Sequence, residues 1–551
     1  MPMPHKEKHY VIGVDFGTLS GRTVLVDAYN GEELAEAVFP YPHGVLDRTL
    51  PDGQPLPPLW ALQHPGDYLA VLRETVPQVL RSAGISGAEV AGLGLDFTSC
   101  TLLPVNRDNT PLCLTAQWER NPHAWVKLWK HHAAQPEADE INRLAAGRGE
   151  NWLGIYGGKL SCEWALPKIL EVARHAPDVF AAADRFLEAG EWLGRLLCGK
   201  ERHSAMFAGY KACWNAAGGY PSDAFLTALD PALHGLIGTK LSREVLPVDR
   251  PAGVLCRAGA ELTGLPEGLP VALPVIDGHA AMPAMHITGE RELMLVLGTS
   301  GAQMVNSAQR VSIPGICGYV DGGVIPGLCT YEAGQACVGD GFDWFVRTQF
   351  PADYAAAAAR EGKSPHAYLR ERAEKLRPGE SGLLALDWLG GNRNLLNDAS
   401  LRAVMVGMTL ATRPEELYRA WIEASAYGAR IITERLMEYG IPIDSICAGG
   451  GIARKDPMLM QIYADVYNKP VRVAGTRQAA ALGSAMYAAV ACGIYPDIRS
   501  ASDRMAKPDF AVYTPVPENV KVYGRLYRQY CALYRLFGEN VRPWGAAPNP
   551  A

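Results

Sequence analysis

One pattern occurs twice in this chain and limits the folds open to it. Tyr10 to Phe16 is an apolar, β-branched run that ends in Asp15-Phe16-Gly17-Thr18, and a second run, Arg22 to Tyr29, closes on Asn30-Gly31 before Glu33 to Phe39. About 280 positions later, Leu293 to Leu297 leads into Gly298-Thr299-Ser300-Gly301 and then Ala302 to Asn306. Both copies read strand, Gly-Thr turn, strand. Asn-Gly is the signal of a tight hairpin, so the chain opens with a predicted β-meander. A repeat at this spacing predicts two related lobes with a boundary near Gly289.

The segments between and after the hairpins alternate in period. Strands are predicted at Val90 to Asp96, Leu102 to Val105 and Val271 to Ile276, with amphipathic helices at Asp67 to Ser82 and Glu163 to Arg174. Helices at Glu415 to Tyr439, Asp456 to Asn468 and Gln478 to Cys492 flank strands at Ser445 to Ala448 and Val471 to Val473. The expected organisation is a first α/β lobe over 10–289, a second over 290–495, and a C-terminal extension over 496–551. That extension carries a helix at Asn519 to Phe537 and a Pro/Gly/Ala tail that packs late or frays.

Composition narrows the partner. With 551 residues, 48% hydrophobic and 20% charged, the chain has material for large buried cores and is neither disordered nor fibrous. Its formal net charge of -6 argues against nucleic acid or an anionic membrane surface as main partner and leaves a small molecule as the default. No apolar run approaches membrane-spanning length. The short polar N-terminus has no secretory h-region, and the 12 Cys never form a Cys-x-x-Cys pair, so a cytoplasmic, reduced protein is expected.

Three glycine clusters follow predicted strands: Gly17-Thr18, Gly298-Thr299-Ser300-Gly301 and Gly449-Gly450-Gly451. Such loops let backbone amides approach phosphate oxygens that a Cβ would obstruct, and Thr or Ser hydroxyls add donors without charge. A single loop of this kind is most often just a turn. No Gly-x4-Gly-Lys-Ser/Thr loop is present, and Gly449-x-Gly451 reaches Arg454 where a dinucleotide fold needs Gly or Ala. Asp15 beside the first loop fits a nucleotide differently, as the carboxylate partner of a Mg²⁺ carried by ATP phosphates. The second copy has Val296 at the matching place, which confines the metal-side role to one lobe.

At these residues the chain resembles the FGGY carbohydrate kinases of the duplicated actin-like (ribonuclease H-like) ATPase fold. The general resemblance lies in Asp15-Phe16-Gly17-Thr18, Gly298 to Gly301, the run from Gly407-Met408 to Glu423, and Gly449-Gly450-Gly451 followed by Gln461 and Asp465. A narrower likeness, to the L-ribulokinases among them, rests on Asp96-Phe97-Thr98-Ser99-Cys100-Thr101, Glu119 to His123 with Lys127 to Lys130, Gly209-Tyr210-Lys211, Asp277-Gly278-His279 and Tyr331 to Gly334. Trp421 departs from the family's second signature, where a smaller residue is usual.

The resemblance implies an α/β protein of two lobes with an interlobe cleft, and transfer of the γ-phosphoryl of MgATP to L-ribulose in L-arabinose catabolism. It implies Asp277 as catalytic base, placed after an apolar strand where ligand crevices form in open α/β sheets; as a residue alone, Asp277 reads equally well as a helix cap. It further implies that Thr98, Ser99, Lys211 and Glu332 bind the sugar with Asp277. Asp15, Gly17, Thr18, Gly298, Thr299, Ser300, Gly449, Gly450 and Gly451 are then implied to serve the nucleotide and its Mg²⁺. Trp118 and Trp129 are candidates for stacking on the sugar or for the core. Another ketopentose or a pentitol such as xylulose or ribitol remains open as substrate, as does a non-catalytic ATPase of the same fold. A homodimer is expected from the family habit alone.

Overall fold

The computed structural model describes residues 9–540; the Pro/Gly/Ala tail lies outside the described residues. Two compact units divide the chain at Thr288/Gly289. Of the described residues, the first contains 9–288, 319–330 and 478–507, and the second 289–318, 331–477 and 508–540.

The sheet of the first unit is built on the predicted meander. Tyr10–Phe16 pairs antiparallel with Ser20–Asp27, which pairs antiparallel with Glu33–Pro40. On its other side Tyr10–Phe16 runs parallel to Val90–Phe97, which runs parallel to Pro270–Ala272, and Pro251–Val254 closes the edge antiparallel. The central strand Val90–Phe97 is buried along its whole length, which is why it reads as a continuous apolar run. The strand expected over Val271 to Ile276 is interrupted: Pro270–Ala272 and Val275–Ile276 are separate, because Pro274 has no amide to donate. A smaller sheet orders Leu62–Gln63, Val126–Lys127, Leu102–Val105 and Arg185–Glu188 beside a second apolar core.

The second unit repeats that plan. Glu292–Leu297 forms an antiparallel hairpin with Gly301–Ser307 and runs parallel to Ser445–Gly449, then Val471–Val473 follows in parallel and Ala511–Tyr513 closes antiparallel. Strand for strand, this is the sequence of directions found in the first unit. The duplication read from two Gly-Thr turns therefore extends through five strands of each sheet.

Chain order and unit membership differ after Gln478. The helix Ala479–Ala491, which the sequence assigns to the second lobe, packs in the first unit against Tyr10–Phe16 and Val90–Phe97. Three sheet glycines allow this close approach, and Gly483 allows another, to the helix Asp277–Ala284. A Cβ on Gly13 would lie 1.8 Å from Ala481 O, one on Gly94 2.0 Å from Ser484 O, one on Gly92 2.8 Å from Ala488 O, and one on Gly483 1.8 Å from Ala280 O. The helix is rich in alanine for the same reason: small side chains let its backbone sit on the sheet.

The described part of the expected extension, residues 496–540, is likewise no separate unit. Ile498–Met505 packs in the first unit, whereas Ala511–Tyr513 joins the second sheet. Helix Pro517–Arg535 buries Tyr523, Tyr527, Tyr530 and Tyr534, spaced along one helical face, in the second unit. Tyr523 donates to Glu423, Tyr527 to Glu434 and Tyr530 to Asp387, so three of the four hydroxyls meet a carboxylate.

Candidate active site

In the first unit three carboxylates collect at the C-terminal ends of neighbouring parallel strands. Asp15 and Asp96 are paired in register, as are Phe16 and Phe97, whose rings stack at 4.2 Å. Val275 pairs with Asp96 and Ile276 with Phe97, so Asp277 follows on the next strand over and opens the helix Asp277–Ala284. Its Oδ1 accepts from the amide of Gly278 at 2.6 Å. Open α/β sheets bind ligands at this end of their strands.

Asp96, which the sequence offered only as the first residue of a family motif and to which no site role was given, is the most enclosed acid of the three. Its Oδ2 accepts from Ser484 Oγ at 2.5 Å, and its carboxyl lies close enough to that of Asp15 to share a proton with it. Burial pushes the Asp96 carboxyl well above the usual range, and the charges of Asp15 and Asp277 push it further. Asp15 is raised by burial as well, opposed by the guanidinium of Arg22, whose Nε lies 3.3 Å from Asp15 Oδ2. Two buried carboxyls side by side, with a third acid on the next strand, fit a hard divalent cation. The signal was present in the sequence as a second Asp-Phe: Asp15-Phe16 and Asp96-Phe97 precede the two loops of the site.

The loop after Asp96 is held from behind. Thr98 N donates to Phe16 O at 3.3 Å, and the Thr98 and Thr101 hydroxyls are 2.7 Å apart. Cys100 adopts φ +58, an uncommon conformation for a residue with a Cβ. The fully buried Lys168 fixes it there, donating from Nζ to Cys100 O at 2.6 Å and to Leu128 O at 2.8 Å. Lys168 was read as one turn of an amphipathic helix; nothing in its neighbours marks it as the clamp of a loop 68 residues away. Ser99 sits half-buried between these anchored residues.

Lys211 ends the helix Ala205–Lys211, whose N-terminus is capped by Ser204 and held by Glu191 through Ser204 N at 3.1 Å and His203 Nδ1 at 3.0 Å. Its buried ammonium lies 5.6 Å from the centre of the Trp164 ring. Trp164 is thus the aromatic partner of the candidate lysine. Trp129 donates to Thr18 Oγ1 at 3.0 Å, and Trp118 packs against the apolar core of the first unit. The Lys127-to-Lys130 motif also has a structural member: Lys127 is buried against Glu171 at 2.8 Å and lies over Trp60.

The glycine loops of the second unit are built differently from one another. The Gly298 turn closes with Gly298 N on Ser300 O, and the segment after Gln335 docks on it, Val338 N and Gly339 N donating to Thr299 O and Gly298 O at 2.9 Å each. Gly298 has no heavy atom closer than 3.8 Å to a notional Cβ, and Gly451 has none within 4 Å, so both face open space. Gly450 has φ +92 and its Cβ would lie 2.4 Å from Leu297 O. Glycine at 450 is therefore required by the backbone itself, whereas Gly298 and Gly451 leave room for a ligand. Gly449 ends its strand opposite Val296, the counterpart of the Asp15–Asp96 pair. Glu332 lies half-buried on Cys329–Gln335 and its carbonyl accepts from Cys317 N. Trp421 is buried edge-on to Trp344, a packing role.

Residues 10–282 match the N-terminal domain of the FGGY family of carbohydrate kinases, and residues 293–492 match its C-terminal domain. The chain belongs to the FGGY family. Among relatives of this FGGY chain, a ribulokinase of Geobacillus thermodenitrificans is 47% identical over 536 residues, covering 96% of this chain and 95% of that one. A ribulokinase of Mycolicibacterium smegmatis is 44% identical over 534 residues, covering 96% and 94%. A xylulose kinase structure from Rhodospirillum rubrum superimposes with a TM-score of 0.79 at 24% identity, covering 95% of this chain and 98% of that one. At that identity the likeness establishes the fold. Among the described residues no helix is long and apolar enough to cross a membrane.

Proposed function

We propose that this FGGY kinase is a ribulokinase, transferring the γ-phosphoryl of MgATP to the terminal hydroxyl of L-ribulose to give L-ribulose 5-phosphate. The observation that carries the substrate is identity of 44–47% with ribulokinases along nearly the whole chain. The chemistry is supported by Asp277, a carboxylate at a strand end beside two buried acids.

In this reading Lys211, Glu332 and the anchored loop at Thr98 and Ser99 orient the ketose by hydrogen bonds to its hydroxyls. A mismatched hydroxyl leaves one of these groups unpaired, which costs ~1–3 kcal/mol and gives the site its selectivity. Asp277 accepts the proton of the attacking hydroxyl as its oxygen bonds to the γ-phosphorus and the bond to the β-phosphate oxygen breaks, releasing ADP. Gly298, Thr299, Ser300, Gly449, Gly450 and Gly451 form the nucleotide loops, two of them by room for a ligand and Gly450 by backbone shape. Asp15, with Asp96 behind it and Gly17 and Thr18 beside it, fits the divalent cation, directly or through water. That ion supplies neutralisation of the phosphate charge.

The test is ADP release measured over a panel of pentoses, ketopentoses and pentitols, with the phosphorylated carbon assigned by phosphorus NMR. L-ribulose is expected to give the highest kcat/KM and phosphate at carbon 5. A higher kcat/KM for xylulose or ribitol would replace the substrate assignment, and sugar-independent ADP release alone would replace the kinase reading.

A further inference from the structure

The strand Cys329–Gln335 and its exit serve two parts of the proposed site within the second unit. It carries Glu332, and the segment directly after Gln335 docks on the Gly298 turn through Val338 N and Gly339 N. The fit is close: a Cβ on Gly334 would lie 2.2 Å from Gly301 O, and one on Gly301 3.2 Å from Gln335 Oε1. A shift of Gln335 therefore cannot be absorbed locally.

Gln335 is held by a single nitrogen. Its Nε2 donates to Asp387 Oδ2 at 2.7 Å and to Ser425 O at 2.9 Å, while its Oε1 is buried without a partner. That arrangement fixes the amide: reversed, it would turn an oxygen onto a carboxylate. The other oxygen of Asp387 accepts from Tyr530 at 2.9 Å, on the helix Pro517–Arg535. Asp387 sits directly on Gly428, where a Cβ would lie 2.5 Å from its Oδ2.

We propose that Asp387 is a positioning residue: by holding Gln335 against the C-terminal helix it sets the strand that carries Glu332 and, through the exit of that strand, the Gly298–Ser300 turn. The sugar half of this inference rests on the proposed role of Glu332, and the nucleotide half on the turn. It gives the last helix a part in catalysis at a distance, through one carboxylate and two donors.

Ionisation provides a readout. Burial raises the Asp387 carboxyl to about 6, opposed by the hydrogen bonds from Gln335 and Tyr530. Cys337, Tyr463 and Tyr534 feel its charge from neighbouring elements, and Arg393 lines the same small cavity. Both partners donate to the charged carboxylate, so protonation disturbs the pair: a proton on Oδ2 displaces the Gln335 amide, which cannot accept, and one on Oδ1 forces the Tyr530 hydroxyl to turn and accept. Ligand affinity is therefore expected to weaken as pH falls through about 6 and to be restored above it.

The experiment measures MgADP affinity by calorimetry and KM for L-ribulose between pH 5 and 8, for wild type, Asp387→Asn and Tyr530→Phe, with thermal unfolding of each. Wild type is expected to lose affinity by about five-fold across an inflection near pH 6. Tyr530→Phe removes a donor that favours the charged carboxylate, so its inflection moves upward. Asp387→Asn has no inflection and weaker affinity throughout. MgADP affinities and pH profiles that superimpose for all three folded proteins would overturn the proposal. If MgADP behaves as expected but L-ribulose is not a substrate, the positioning of the turn stands and the substrate reading falls.

Discussion

Asp15 and Asp96 stand opposite each other on neighbouring parallel strands, and their carboxylates are buried side by side with Arg22 against the outer one. Burial raises both carboxyls, so the arrangement opposes folding at neutral pH, and in the proposed reading the cation relieves it. A carboxyl whose pKa is higher in the folded than in the unfolded protein contributes stability below the unfolded pKa, and that contribution is lost as pH rises through the folded value. At neutral pH the pair is therefore a cost, at ~1.4 kcal/mol for each unit by which the carboxyl is raised.

Asp96→Asn should relieve that cost. The amide oxygen still accepts from Ser484, and one of the repelling charges is gone. Thermal unfolding at pH 7.5 in EDTA is expected to show a higher Tm for Asp96→Asn than for wild type, with the difference narrowing toward pH 5. Millimolar MgCl2 should raise the wild-type Tm and leave the variant nearly unchanged. Equal Mg²⁺ responses would remove Asp96 from the cation site.

Lys168→Met tests the clamp on the loop proposed to bind the sugar. The change keeps most of the buried stem and leaves Cys100 O and Leu128 O without their donor. A loss of ~2–4 kcal/mol in unfolding free energy is expected, measured in urea. KM for L-ribulose should rise while KM for ATP holds, because the freed loop carries Thr98 and Ser99. A variant with both constants unchanged would make the lysine purely structural.

Within the proposed nucleotide loops, neighbouring glycines separate by substitution. Gly451→Val meets open space, so the protein should fold normally, with KM for ATP raised about ten-fold or more and KM for the ketose little changed. Gly450→Ala meets Leu297 O from a left-handed backbone and should lower Tm before it affects either constant. The reverse pattern would exchange the roles of the two residues.

Much of this was legible because it depends on local chemistry. The two Gly-Thr turns are visible in sequence since a hairpin needs alternating apolar residues and a turn residue at a fixed offset, and both hairpins stand where they were read. Asp96 is different: its partnership with Asp15 exists only in the register of two strands about eighty residues apart. The destination of helix Ala479–Ala491 was hidden for a related reason. Gly13, Gly92 and Gly94 read as weak strand residues, and their use as a bed for another backbone appears only once the helix lies on them. The tyrosines at 523, 527, 530 and 534 carried a helical spacing that marks a buried face, so the last helix could have been recognised as core.

The account turns on Asp277 as the base, and single-turnover phosphoryl transfer by Asp277→Asn tests it most directly. Asparagine keeps the shape of the side chain and its bond from the Gly278 amide but cannot take a proton. With L-ribulose and MgATP binding measured separately and within about ten-fold of wild type, the transfer rate is expected to fall by ~10²–10⁴-fold. A variant that binds both ligands and retains more than about a tenth of the wild-type single-turnover rate would contradict the assignment.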